Sequence, residues 1–162
     1  MISRVGVGIV GFGTVGSGVA KILLENAALI RRRVGVPIEL VRIADLDTTR
    51  DRGMALPAGL LVKDAKQILA DPTIDIVVEL VGGYDFAKRL ILEAIDVGKS
   101  VVTANKALLA LHGEEIFAAA SRKGIDIGFE ASVGGGIPVI HALKEGLAAN
   151  SIQSIYGIIN GT

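Results

Sequence analysis

Short apolar runs alternate along the chain with longer segments in which apolar positions recur at helical spacing. The runs are rich in valine and isoleucine and predict strands at Val5–Val10, Glu39–Ala44, Ile74–Leu80, Ser100–Thr103, Asp126–Glu130 and Ser154–Ile159. The segments between them predict helices at Val15–Arg33, Ala65–Leu69, Phe86–Val97, Leu108–Lys123 and Ile137–Ala148. This alternation predicts an α/β fold with a doubly wound, mostly parallel sheet and helices on both faces. We find neither an internal repeat nor a linker, so residues 1–162 are expected to form one domain.

A glycine-rich turn follows the first predicted strand and consists of Gly11, Phe12, Gly13, Thr14, Val15 and Gly16. In a Rossmann-type domain Gly11 would permit the tight turn, Gly13 the close approach of a pyrophosphate, and Gly16 the packing of the helix on the strand. The phosphates would lie at the helix N-terminus, where unpaired N–H groups and the helix dipole favour negative charge. The strand before the turn and the helix after it favour a dinucleotide site over a purely structural glycine turn.

Composition narrows the class of protein without identifying a chemistry. The chain has 17 basic and 17 acidic residues, is 51% hydrophobic, and contains no cysteine. The even charge balance argues against nucleic acid as a partner, and the missing cysteines exclude a disulfide framework and fit a cytoplasmic location. No apolar stretch approaches the ~20 residues of a membrane helix, and we expect neither a signal peptide nor an anchor.

Asp45 follows the second predicted strand, at the position where such domains read the adenosine ribose. Its carboxylate would accept hydrogen bonds from the ribose hydroxyls and repel a 2′-phosphate, which favours NAD over NADP. Asp45 lies further from the glycines than the ~20 residues typical of this motif, although the long first helix accounts for extra residues. Arg50 and Arg52 could instead bind a 2′-phosphate, and Asp45 could simply start a turn with Asp47.

Three further strand ends carry distinctive residues. Gly82 and Gly83 follow one strand, Thr103 to Lys106 follow the next, and Glu130 precedes the three glycines Gly134 to Gly136. In open parallel sheets ligands bind beyond the carboxyl ends of the strands. We therefore expect these three segments to converge on one crevice.

The motifs GFGTVG, VVTANK, EASVGGGIP and the terminal NGT together resemble the nucleotide-binding half of homoserine dehydrogenase, in that family's order and over nearly the whole chain. That family interconverts homoserine and aspartate 4-semialdehyde with NAD or NADP, in the biosynthesis of threonine and methionine. The resemblance implies a cofactor site formed by Gly11, Phe12, Gly13, Thr14, Val15, Gly16, Gly82, Gly83, Thr103, Ala104 and Lys106. It also implies a sodium ion held by Glu130 and by the carbonyl groups of Val133, Gly135 and Ile137.

Lys106 is the one catalytic candidate. The resemblance places it beside the nicotinamide and the substrate, where it would transfer a proton or orient the reacting carbonyl. Hydride transfer to an aldehyde builds negative charge on oxygen, and a cationic donor there lowers the barrier. Alternatively, Lys106 is an ordinary exposed lysine at the start of a helix. Glu130 could likewise be a structural acceptor of hydrogen bonds from loop N–H groups. His112 and His141 lie within predicted helices, which makes a histidine-based site improbable.

The resemblance implies that Asn160-Gly161-Thr162 leads into a substrate-binding and dimerisation domain, which this chain lacks. We therefore expect a dinucleotide-binding fragment with little turnover of homoserine by itself, and a homodimer when the protein is full length. Two other functions remain open from the residues. One is another small amino-acid dehydrogenase or reductase of the same fold, and the other is a non-catalytic dinucleotide-binding module.

Overall fold

A six-stranded parallel sheet forms the centre of the computed structural model, which describes residues 2–158. The strands are β1 (Val5–Val10), β2 (Ile38–Ala44), β3 (Leu61–Val62), β4 (Ile76–Glu79), β5 (Ser100–Thr103) and β6 (Ile127–Gly128). Their spatial order is β3-β2-β1-β4-β5-β6, and every adjacent pair is parallel. This order confirms the doubly wound sheet. The order reverses between β1 and β4, and a crevice opens beyond their carboxyl ends.

Helices cover both faces of the sheet. They are α1 (Thr14–Glu25), α2 (Ala27–Val34), α3 (Lys66–Ala70), α4 (Asp85–Asp96), α5 (Lys106–Lys123), α6 (Glu130–Val133) and α7 (Val139–His141). Val77 and Val78 are consecutive in β4 and enter two different cores, because successive strand residues point to opposite faces. Side chains of α3, α4 and α5 pack around Val77, and α1 packs around Val78.

The N-terminal half departs from the sequence expectation in two places. The single helix predicted over Val15–Arg33 is two helices, because Asn26 leaves helical geometry at φ −102° and ψ 14°. The backbone hydrogen bonds from Asn26 N to Ile22 O and from Ile30 N to Asn26 O persist, so the chain bends there without fully unwinding. The short strand β3 was not expected, and it forms because the edge of β2 offers Leu61 and Val62 a parallel partner.

The C-terminal half departs further. The strand expected at Asp126–Glu130 is confined to Ile127–Gly128, and Glu130 instead begins α6. The helix expected over Ile137–Ala148 is the short α7 followed by one π-helical turn, Ala142–Gly146. Residues 154–158 of the last expected strand form no regular element, and Ile159 lies outside the described residues. Ile155 is 70% exposed and Ile158 99%, and a strand needs a neighbour that this segment lacks within residues 2–158.

A buried lysine ties the amino edge of the sheet. Lys99 precedes β5 and is 6% exposed, and its Nζ donates hydrogen bonds of 2.7 Å to the carbonyl groups of Asp71 and Ile74. Burial lowers the pKa of Lys99. Its two bonds join the loop before β4 to the loop before β5, at the edge opposite the crevice. Within residues 2–158, no helix combines the length and apolar character needed to cross a membrane.

The close packing of α1 on β1 predicts opposite effects for two glycines of α1. A Cβ added at Gly16 would lie 1.9 Å from the carbonyl oxygen of Gly11, whereas one added at the exposed Gly18 meets nothing within 4 Å. We expect Gly16→Ala to lower the free energy of unfolding by about 2 kcal/mol through overpacking. Gly18→Ala should raise it by roughly 0.5–1 kcal/mol through helix propensity. Denaturant unfolding of both variants measures this, and equal midpoints would contradict the close approach.

Candidate dinucleotide site

The three glycines of the turn after β1 differ in what surrounds them. Gly11 has φ +100°, and a Cβ there would lie 2.6 Å from the carbonyl group of Leu80 in the neighbouring chain segment. Packing therefore requires Gly11, as it requires Gly16. Gly13 has ordinary backbone angles, and a Cβ added there would meet nothing within 4 Å. Packing among the described residues gives no reason for glycine at position 13, and the space above it is open to a ligand.

Gly13 also precedes α1 as its N-cap residue, where no side chain accepts a hydrogen bond from the first turn. Asp, Asn or Ser at this position would stabilise the helix by about 1 kcal/mol relative to a residue that cannot cap. The N–H groups of the first turn therefore face the crevice without a side-chain cap, next to the exposed Thr14 and Val15. Such a helix end is suited to a phosphate group.

Phe12 does not line this space with its side chain. The ring is 2% exposed and packs in the core with Ile9 and Ile43. Its backbone N–H donates to Asp45 Oδ2 at 2.6 Å, and its carbonyl oxygen accepts from Arg52 Nε. Phe12 therefore holds the turn in place. The sequence predicts that Phe12 contacts the pyrophosphate, but its ring, its N–H and its carbonyl oxygen are all engaged with other parts of the protein.

Asp45 and Arg52, in the loop after β2, both form hydrogen bonds with the glycine turn. Asp45 Oδ1 accepts from Asp47 N at 2.8 Å and lies 3.4 Å from Arg52 Nη2. The Arg52 guanidinium also donates to the carbonyl groups of Asp47 and Arg50, both at 2.7 Å, and lies 4.9 Å from the centre of the Phe12 ring. Its side chain is 9% exposed. Arg52 is thus engaged inside the protein, whereas the Arg50 side chain, in the same loop, is exposed.

A cavity of about 560 Å³ opens between the end of β2 and the start of α4. Asp45 lines it together with the exposed apolar residues Leu46, Val81 and Phe86. Flat apolar surfaces with a carboxylate at the rim suit the adenosine part of a dinucleotide. Sequence inspection did not select Leu46, Val81 or Phe86, although each lies within a few residues of a strand end, which was the available signal.

The segments after β4 and β5 meet on the other side of the switch point. Gly82 and Gly83 have φ +72° and +73°, a left-handed pair that glycine adopts without strain. Asn105 Nδ2 donates to the carbonyl oxygen of Gly83 at 2.8 Å, and Asn105 Oδ1 caps α5 by accepting from Leu108 N at 3.1 Å. Asn105 was not among the site residues expected from the sequence, yet it joins the two segments.

Lys106 is the first residue of α5 and is exposed. It borders a second cavity of about 380 Å³, which Leu109, Phe117, Phe129, Ser132 and Val133 also line. Thr103 is fully buried, and its Oγ1 accepts from Asn105 N at 3.0 Å, so its hydroxyl acts within the protein. Ala104 is half-buried between Thr103 and Asn105. Lys106 is therefore an exposed residue three positions after the end of β5, and Thr103 supports the segment that carries it.

Glu130 accepts hydrogen bonds from the loop that follows it. Its carboxylate oxygens accept from Ile140 N at 2.8 Å and His141 N at 2.9 Å, in the first turn of α7. These backbone donors, His141 first, hold the pKa of Glu130 below its usual range. Among the described residues, the carbonyl oxygen of Ile137 accepts from Val139 N, whereas those of Val133 and Gly135 accept no backbone hydrogen bond. Residues 2–158 hold no cluster of three or more His, Asp or Glu side chains suited to a metal.

Comparison with known proteins gives one consistent family. The family described as homoserine dehydrogenase, NAD binding domain, matches residues 11–130. Homoserine dehydrogenase of Pseudomonas aeruginosa is 52% identical over 158 residues, which are 96% of this chain and 36% of that protein. The enzyme of that name from Neisseria gonorrhoeae is 49% identical over 98% of this chain and 36% of its own length.

Solved structures agree with the sequence relatives. A crystal structure of a homoserine dehydrogenase from Thiobacillus denitrificans matches 91% of this chain and 34% of its own chain, with a TM-score of 0.81 and 51% identity. The Staphylococcus aureus homoserine dehydrogenase at pH 7.5 matches 82% of this chain with a TM-score of 0.75 and 36% identity. The chain thus spans about a third of the length of the relatives it matches.

The contacts of Glu130 predict a difference in acid stability. Because its pKa is lower in the folded protein than its usual value of 4.5, its contribution is complete above that value and is lost as the pH falls through the folded pKa. We expect Glu130→Gln to lower the thermal midpoint at pH 6 and to differ less from the native chain at pH 3. Thermal melts across this range measure the effect. Glu114→Gln, at an exposed glutamate of α5, is the matched control. An offset between Glu130→Gln and the native chain that is equal at both pH values would contradict the assignment.

Proposed function

The chain belongs to the family of homoserine dehydrogenase NAD-binding domains, and on that premise we propose that it is the dinucleotide-binding part of an enzyme that interconverts homoserine and aspartate 4-semialdehyde. The observation that carries the proposal is Gly13 at the uncapped start of α1, with open space above it, at the switch point of the sheet. The relatives named homoserine dehydrogenase disfavour the two alternatives, a different amino-acid dehydrogenase and a non-catalytic binding module.

The crevice accommodates a dinucleotide in one direction. The pyrophosphate would lie over Gly13 and the first turn of α1, whose N–H groups would bind it. The adenosine would lie over Asp45 and the cavity beside β2, so the nicotinamide half would extend over the ends of β4 and β5. Gly82, Gly83 and Ala104 then border the nicotinamide ribose. The cofactor supplies the hydride, and the protein positions it and excludes water.

NAD is the preferred cofactor in this proposal. Asp45 presents a carboxylate where the ribose hydroxyls would lie, and a 2′-phosphate there would meet like charge. Arg52 pairs with Asp45 at 3.4 Å and offsets part of this charge, but its guanidinium also donates to Phe12, Asp47 and Arg50 and is therefore engaged within the protein rather than offered to a 2′-phosphate. The exposed Arg50 is the cation that would bind the 2′-phosphate if NADP were the cofactor.

Lys106 is the proposed catalytic residue. Its exposed ammonium group is at the start of α5, on the nicotinamide side of the crevice. A positive donor close to the aldehyde oxygen stabilises the charge that develops there as hydride is transferred. The ammonium group would also deliver the proton that completes the alcohol. The substrates homoserine and aspartate 4-semialdehyde, and the homodimer, belong in this proposal to the full-length protein. A cytoplasmic location is also part of the proposal, and the absence of cysteine from this chain fits it.

A sodium ion is a further part of the proposal. Carboxylate and carbonyl oxygens are the hard ligands that such a cation prefers. Glu130 is kept ionised by its backbone donors and each oxygen retains a lone pair, and the carbonyl groups of Val133 and Gly135 have capacity for a ligand. Ile137 is the weakest member, because its carbonyl oxygen already accepts from Val139 N. The acid melts of Glu130→Gln, repeated in sodium and in tetramethylammonium chloride, test whether sodium adds stability through Glu130.

Calorimetric titration of the chain with NAD and NADP tests the dinucleotide site. We expect NAD to bind more tightly than NADP, and Gly13→Asp to weaken both by at least about tenfold through repulsion of the pyrophosphate. The same substitution should preserve or raise the thermal midpoint, because aspartate is a favoured N-cap residue. Asp45→Asn should narrow the difference between the two cofactors.

Gly18→Asp is the matched control for this titration. It adds the same charge to α1, about one turn beyond the pyrophosphate position, at a site with open space. Its affinity for NAD should stay close to that of the native chain. If neither cofactor binds the native chain, or if Gly13→Asp and Gly18→Asp weaken binding equally, the proposed position of the pyrophosphate is wrong.

The role of Lys106 is tested in the full-length protein. We expect Lys106→Ala to lower kcat for homoserine oxidation at least about a hundredfold, which is the scale of one general acid–base group. The dissociation constant for NAD should change by less than about threefold, since most cofactor contacts lie elsewhere. Lys21→Ala, which removes an exposed lysine of α1 that lines neither cavity, is the control for loss of charge alone. Unchanged turnover in Lys106→Ala would rule out the catalytic assignment.

A further inference from the structure

Glu79 is a buried acidic residue that the proposed function does not use. It is the last residue of β4, its side chain is fully buried, and it pairs in register with Val10 of β1 and Thr103 of β5. It therefore lies directly beneath the carboxyl edge of the sheet, at the centre of the crevice. Among the described residues its carboxylate makes no ion pair.

Hydrogen bonds compensate for this burial. Glu79 Oε1 accepts from Val81 N at 2.9 Å and from Gly82 N at 3.4 Å. Glu79 Oε2 accepts from Thr103 Oγ1 at 2.6 Å. Thr103 Oγ1 also accepts from Asn105 N at 3.0 Å, so the hydroxyl connects Glu79 to the segment that follows β5. Glu79 thus bonds to two turns that come from different strands.

The bonds continue to the start of α5. Asn105 donates to the carbonyl oxygen of Gly83 and caps α5, whose first residue is Lys106. Ser132, also buried, donates from Oγ to the carbonyl oxygen of Thr103 at 2.8 Å and attaches α6 to the same group. Glu79, Thr103 and Asn105 therefore form a closed hydrogen-bonded ring with the loop of Gly82 and Gly83.

We propose that Glu79 is a positioning residue that holds the Gly82–Gly83 loop and the Lys106 end of α5 as one unit, and so sets the affinity for the nicotinamide half of the dinucleotide. The inference rests on the proposed function and deepens it. A buried carboxylate costs free energy relative to an apolar side chain of similar size. Its bonds to Gly82 N and Thr103 Oγ1 lead to the segments that border the proposed nicotinamide ribose site. Its bond to Val81 N holds the backbone at the start of the same loop, where the Val81 side chain lines the adenosine cavity.

The test compares NAD with ADP, which lacks the second ribose and the nicotinamide. Glu79→Gln keeps the shape and one acceptor for Val81 N, but its amide nitrogen cannot accept from Thr103. We expect the affinity for NAD to fall about tenfold, which is the scale of one charge-assisted hydrogen bond. The affinity for ADP should stay within about twofold of the native value. Both are measured by calorimetric titration of this chain.

Lys99→Met is the control for a merely structural effect. Lys99 is also buried and polar, and its two hydrogen bonds join the same pair of neighbouring strands at the opposite edge of the sheet. This variant should lower the thermal midpoint and leave the ratio of NAD to ADP affinity unchanged. If Glu79→Gln does not fold, Thr103→Val keeps Glu79 and removes both bonds of the Thr103 hydroxyl, to Glu79 Oε2 and from Asn105 N, and should shift the same ratio in the same direction.

The outcomes distinguish the positioning role of Glu79 from the proposed dinucleotide-binding function. An unchanged ratio in Glu79→Gln, or an equal loss of both ligands, would overturn the positioning role while leaving the dinucleotide site intact. A ratio shift of the same size in Lys99→Met would overturn it as well. Failure of the native chain to bind NAD would contradict the proposed function itself, and this inference with it.

Discussion

The contact of α1 with the end of β1 is the constraint on which the site depends. At Gly16 the helix comes so close to the carbonyl group of Gly11 that no side chain fits between them. This contact directs the N-terminus of α1 at the switch point between β1 and β4. The turn has no freedom to open, because Gly11 also packs against the chain after β4. The site for the pyrophosphate is therefore a consequence of backbone packing, and only Gly13 is left for the ligand.

Three carboxylates near strand ends, those of Asp45, Glu79 and Glu130, hold the surrounding backbone in the same way. Each accepts hydrogen bonds from two backbone N–H groups of a loop or of the first turn of a helix, and thereby supplies partners for donors outside the strands. The three pairs of donors are Phe12 and Asp47 for Asp45, Val81 and Gly82 for Glu79, and Ile140 and His141 for Glu130. In the proposed site, the carboxylates that shape these turns would also place negative charge near the dinucleotide.

The C-terminal part of the described chain shows what local pattern alone does not supply. The sequence predicts a strand at Ser154–Ile159 from its β-branched and aromatic residues, yet Ile155 and Tyr156 are 70% and 93% exposed. β-Propensity describes how a side chain fits a half-covered sheet surface, so it has no effect until a neighbouring strand is present. β3 is the opposite case. Two residues with little pattern of their own become a strand because β2 lies beside them.

Sequence by itself determined the fold class, four of the strands and the position of the glycine turn, because hydrophobic period and glycine geometry act between near neighbours. It also selected Asp45, Gly82, Gly83 and Lys106 as residues at strand ends. Only the tertiary structure decided what these groups touch. Arg52 meets Phe12 across 40 residues, and Thr103 meets Glu79 across 24, through bonds that no local pattern encodes. The sequence therefore offered Arg52 only as a ligand for a 2′-phosphate and did not single out Glu79. The partners of such buried polar groups depend on how the strands are ordered in space.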